Sequence, residues 1–162
     1  MLLKLSVIAI LFYFLALIQN SFFVHFNIFG AVPNFIFILF FILIFFSFSE
    51  KSYSRKNLFY SFVAGFFLDV FFGFYFGSSF ALLLAISFIA KKILNSLKQK
   101  KDKYPFIHFA PLFLASLVSY EAVLAVFFGN ISRIFLVKII YSFLFAAPGF
   151  YFYKKLSNRF ND

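Results

Sequence analysis

The sequence predicts an all-α integral membrane protein of six transmembrane helices with both ends in the cytoplasm. Three observations carry that expectation. The 162 residues are 64% hydrophobic and only 12% charged, about half the charge that covers a water-soluble domain. The apolar residues fall into six runs, most of them near the ~20 residues that a helix needs to cross a bilayer. The basic residues gather in every second connection between those runs.

The runs lie at about 5–24, 33–48, 58–76, 78–94, 106–128 and 134–153, and form a single transmembrane domain over residues 1–162. The first follows Lys4, as the apolar core of a signal peptide would. Its end, Ile18-Gln19-Asn20-Ser21, has no small-x-small cleavage pattern and further apolar residues follow, so it reads as a retained helix. The second is short and opens on Pro33, where a missing N–H costs least. The fifth and sixth contain Pro111 and Pro148-Gly149, which are expected to kink them.

Charge fixes the orientation. Lys4, then Lys51, Arg55 and Lys56, then Lys91, Lys92, Lys98, Lys100, Lys101 and Lys103, then Lys154, Lys155 and Arg159 make thirteen of the 15 basic residues. They occupy the N-terminus, connections 2–3 and 4–5, and the C-terminus. The other connections hold only Arg133. Basic residues mark the cytoplasmic side, and this alternation closes only with an even number of spans. Tyr53, Tyr60, Tyr104, Tyr151 and Tyr153 lie near the same ends, as interfacial aromatics do. The run Lys98–Lys103 either fixes topology or meets anionic head groups of membrane lipids or a cytoplasmic partner.

Several function classes are excluded. Without cysteine there is no disulfide, thiol catalysis or cysteine metal site. His25 and His108 fall in no metal motif. No nucleophile–base or metal cluster is evident, so neither an enzyme nor a cofactor is expected. The net charge of +10 sits beside the spans, so nucleic acid is not expected as a partner either. The 34 phenylalanines add bulk and no chemistry.

Three ionisable residues lie inside the runs: Asp69, Glu121 and Lys138. Each is costly in hydrocarbon and marks a candidate site. At ~1.5 Å per residue they lie ~8–12 Å below the outer surface. Glu121 and Lys138 share a hairpin and can pair, as a structural lock or as part of a polar pocket or binding surface. Asp69 has no basic partner in its own hairpin. It also belongs to a stripe, Ser61, Gly65, Asp69, Gly73 and Gly77, repeating every fourth residue. Small residues at that spacing let helices approach closely, either within the chain or against a partner's transmembrane helix. Gly73 and Gly77 also suit the turn into helix four.

The stretch Ala64-Gly65-Phe66-Phe67-Leu68-Asp69-Val70, running on to Gly73 and Gly77, resembles the "GF-x-x-G-L-x-x-D, then L-G" segment of the rod shape-determining protein MreD family. Ile18-Gln19-Asn20-Ser21 and Pro33-Asn34 resemble that family's "LQ-S" and "P-D", with Asn34 in place of the commoner acid. The second small residue of GF-x-x-G is not evident. The resemblance covers roughly residues 15–95. It implies a non-enzymatic scaffold of the bacterial cytoplasmic membrane, acting in cell elongation and peptidoglycan synthesis. The implied partners are an MreC-type single-span protein, the glycosyltransferase RodA, a transpeptidase and, indirectly, MreB. It also implies a fold similar to the substrate-binding subunits of energy-coupling factor vitamin transporters. Such a subunit is the alternative function. Against it, Ala9 is followed four residues on by Tyr13 and Ala16 by Asn20, where A-x-x-x-A docking spacing is expected, and the chain has no Trp for a ligand pocket.

Overall fold

A computed structural model describes residues 2–47, 53–72, 75–96, 105–128 and 134–159. The described residues form six helices: α1 (Leu2–Ser21), α2 (Phe35–Ser47), α3 (Tyr53–Phe72), α4 (Ser78–Ser96), α5 (Pro105–Phe128) and α6 (Ile134–Arg159). The segments Ser78–Ser96, Pro105–Phe127 and Ile134–Leu156 are long and apolar enough to cross a membrane, while Leu5–Ser21 and Phe35–Ser47 are shorter apolar helices.

α2 is the centre of the bundle. Its sequence, FIFILFFILIFFS, is apolar on every side, and a helix of that kind is stable only when surrounded. Nearly all of it is buried, against α1, α3, α5 and α6. Around it α1 packs on α3, α3 on α4, α4 on α5 and α5 on α6. Much of the phenylalanine excess is spent here. Phe41 meets Phe109 and Phe113 edge-on at ring-centroid distances of 5.7 and 5.5 Å, and Phe45 meets Phe109 at 5.3 Å. Such pairs add about 0.5–1.5 kcal/mol each beyond their buried area.

The outside of the bundle is as apolar as its core. Leu58, Phe62, Phe66 and Val70 make an exposed row along α3, and Leu136, Ile140 and Leu144 another along α6. A soluble monomer rarely exposes contiguous apolar rows of this extent; hydrocarbon is the solvent that suits them.

The helix bounds differ from the sequence expectation in specific ways. α1 stops at Ser21, before a string of turns through residue 26. α2 starts at Phe35, because Pro33 precedes the cap formed by Asn34. α3 begins at Tyr53, five residues early, and ends at Phe72, four early. Its polar first turn is helical although it is not apolar, a distinction hydropathy does not make. α6 runs six residues past Tyr153, since lysines favour a helix and are stabilised near its C-terminus. Pro111 and Pro148 lie inside α5 and α6, which continue through them. Between α1 and α2, Ile28 and Ala31 exchange backbone hydrogen bonds around Phe29 and Gly30, which both have positive φ (52° and 82°). Lys51, Gly73, Arg133 and the lysines of 98–103 lie outside the described residues.

Candidate functional site

Six helices end or begin at the same end of the bundle, and there each contributes polar atoms to one buried network. Its construction starts from orphan amides. The first turn of any helix leaves N–H groups without intrahelical partners, and in hydrocarbon each such group costs several kcal/mol.

At α2 the deficit is met by its own cap residue and by two other helices. Asn34 is the N-cap; its Oδ1 accepts from Phe37 N at 3.0 Å, the usual capping bond. Gln19 of α1 accepts from Phe35 N through Oε1 at 2.9 Å. Ser142 of α6 accepts from Asn34 N through Oγ at 2.9 Å. Asn34 Nδ2 in turn donates to Glu121 Oε1 at 3.5 Å. The Gln19, Asn34 and Ser142 side chains are all buried.

At α4 the deficit is met by Asp69. Its Oδ2 accepts from Gly77 N at 2.6 Å and its Oδ1 from Ser79 N at 3.0 Å, with Ser78 Oγ donating to Oδ1 at 3.3 Å. Asp69 as a whole residue is 3% exposed. Its counter-charge is the positive end of the α4 dipole, which favours an anion at this position. Gly77 makes the turn possible: its φ is +93°, and nothing stands within 4 Å of where a Cβ would be, so conformation and not space requires glycine there.

The two caps are joined through α5. Ser79 Oγ and Tyr120 Oη lie 3.1 Å apart. The next residue, Glu121, pairs with Lys138 of α6, whose Nζ sits 2.9 Å from both carboxylate oxygens. The three ionisable residues that the sequence places inside apolar runs therefore lie along one path: hydrogen bonds lead from Asp69 through Ser79 to Tyr120, whose chain neighbour Glu121 pairs with Lys138. A second, smaller link ties α3 to α4 nearer the other end, where Asn57 Nδ2 donates to Ser87 Oγ at 2.8 Å.

The small-residue stripe faces α4. A Cβ on Gly65 would lie 2.5 Å from both Cα and N of Phe80. Ser61 is fully buried, and Asp69 is spent on the α4 amides. Of the two readings of the stripe, packing within the chain is what is seen at Gly65 and Asp69, where α4 lies against it. Gly73, the fourth member, lies outside the described residues. Gln19 and Asn34 meet at the start of α2, accepting from Phe35 N and Phe37 N, and Pro33 directly precedes this cap.

Sequence reasoning missed Ser79, Ser142 and Tyr120. Ser79 follows Ser78, Tyr120 lies between Ser119 and Glu121, and Ser142 follows Tyr141; a polar pair or triplet inside an apolar run is the signal that could have found them. Chemically, the network satisfies amides and neutralises charge. Glu121 and Lys138 have side chains 9% and 24% exposed, so their pairing is largely desolvated. Replacing Glu121 by Gln and Lys138 by Met, singly and together, is expected to give a coupling of about 1–3 kcal/mol in a double-mutant cycle. Thermal unfolding in detergent measures it; additive losses would mean that the pair does not lock the hairpin.

Comparison of the chain with protein-family models, curated proteins and solved structures returns no match.

Proposed function

We propose that the chain is a non-enzymatic scaffold of the bacterial cytoplasmic membrane, with six spans and both ends cytoplasmic, of the kind the MreD resemblance implies. Its task in that reading is to hold wall-synthesis partners together during cell elongation. The observation that carries it is the use made of the resembling residues. Gln19, Asn34, Asp69, Gly65 and Gly77 stand at the joints between helices, where a family sharing an architecture would keep them. The network end, whose connections hold few basic residues, then faces outward and the lysine-bearing end of α6 faces the cytoplasm.

Tagged protein, cross-linked in cells and captured from solubilised membranes, is expected to bring down an MreC-type single-span protein together with RodA or a transpeptidase. Depletion is expected to make rods round. Capture without any wall-synthesis partner, with shape unchanged, would sink the proposal. Tight vitamin binding by the purified chain would replace it with the transporter reading.

A further inference from the structure

α2 is too short for a membrane. Its 13 residues measure ~20 Å, against ~30 Å of hydrocarbon in a bilayer. The register of α2 on α6 locates the shortfall, because the segment Ile134–Leu156 of α6 is long enough to cross. At the end away from the polar network, the ring of Phe46 meets that of Tyr153, with centroids 4.8 Å apart. At the network end Asn34 N bonds Ser142 Oγ. Ser142 lies eight residues past Ile134, the start of α6, or ~12 Å further in. The third of the α2 column nearest the network end is therefore not helix. Gln19, bonded to Phe35 N, brings the end of α1 to the same level.

The connection between the two helices, residues 22–33, occupies that third. Phe23 packs on Phe35 and Phe145, with ring centroids 4.5 and 5.6 Å apart. Phe26 O accepts from Tyr141 Oη at 3.3 Å. Gly30 reaches the start of α6, where Ile134 Cδ1 stands 3.7 Å from the place of a Cβ. The connection thus climbs along α6 to its first turn and returns to Asn34. Between Lys4 and Glu50 the chain has no Asp, Glu, Lys or Arg, and Phe22 and Phe26 are exposed.

Irregular backbone at membrane depth needs its polar groups satisfied or enclosed by protein. On the outgoing leg, the amides of Phe22, Phe23, His25 and Phe26 bond to carbonyls three to five residues back. On the return leg Ala31, Pro33 and Asn34 are buried, and proline has no amide to satisfy. The tip is closed by Ile28 and Ala31 and by Asn27, whose side chain accepts from Gly30 N and donates to Val24 O. It stands level with Ile134, at the membrane surface.

We infer that residues 22–33 are a re-entrant segment. Its two legs lie within the hydrocarbon, Phe22 and Phe26 touch lipid acyl chains, and Phe29 marks the surface. This rests on α6 crossing the membrane and not on the scaffold reading.

The chain has no cysteine, so single nitroxide labels can be placed at Phe22→Cys, Phe26→Cys and Phe29→Cys in the full chain, reconstituted in phospholipid vesicles. Ile140→Cys, exposed on α6, is the lipid-facing reference. Collision rates with oxygen, which concentrates in hydrocarbon, and with a water-soluble nickel chelate are measured at each site. The oxygen-to-nickel ratio at Phe22 and Phe26 is expected to lie within about two-fold of that at Ile140, since the same hydrocarbon surrounds all three. At Phe29 it is expected to be lower. Collisions dominated by nickel at Phe22 and Phe26 would place the connection in water. Weak collision with both reagents there would mean that protein covers it. Either result overturns the proposal.

Discussion

Replacing Gly65 by leucine is expected to leave no folded protein in the membrane, and replacing it by alanine to lower the unfolding temperature measurably. The reason lies in what the new atoms meet. Even one Cβ at residue 65 would stand 2.5 Å from the Phe80 Cα and N, and these are backbone atoms that no rotamer change can move. α3 and α4 must therefore part, and with them the bonds from Gly77 and Ser79 to Asp69 and from Asn57 to Ser87. One inserted methyl in a tight core costs about 1–3 kcal/mol, and leucine adds three more carbons at the same place. Val70→Ala, on the exposed row of the same helix, is the control and is expected to stay within about 0.5 kcal/mol of the parent. Thermal unfolding in detergent and steady-state level in membranes are the readouts. An unchanged Gly65→Ala protein would mean that α3 and α4 do not approach as described.

Asp69→Ala is expected to destabilise the chain by about 2–5 kcal/mol, since two backbone amides and a hydroxyl lose their acceptor where little water can replace it. Asp69→Asn keeps one carbonyl oxygen, so it can hold one of Gly77 N and Ser79 N while presenting a donor to the other. It is expected to fall between parent and Ala. This ordering separates two roles. A cap lowers protein level and unfolding temperature in step with partner capture. A residue that recognises a partner would lose capture in Asp69→Asn while level and unfolding temperature stayed normal, and that pattern would refute the capping role.

The positions of the helices were legible because apolar runs and loop charges are long-range signals. The pairing of Glu121 with Lys138 was legible because opposite charges seventeen residues apart across a turn have little alternative. The partner of Asp69 was not. A search for a cation finds none in its hairpin, because the counter-charge is a helix terminus, which no residue letter records. The central place of α2 was not legible, because a helix apolar on every side is either enclosed by protein or in contact with lipid, and composition does not choose between them. The link from Ser79 to Tyr120 joins residues 41 apart on different hairpins, and only the packing of α4 on α5 brings them together.

The locations of the polar contacts also set an order of assembly. The bonds of Asp69 reach eight to ten residues along the chain, and the Glu121–Lys138 pair reaches 17. Loops this short close with little loss of chain freedom, so each of the hairpins α3–α4 and α5–α6 can find its own register once its second helix is made. α2 differs. Its first amides are held by α1 and α6, with the Ser142 contact spanning 108 residues. The helix made second is thus the last to be locked. A chain released before α6 would contain one finished hairpin, α3–α4, an unpaired α5, and a central helix held by Gln19 but still without its Ser142 contact.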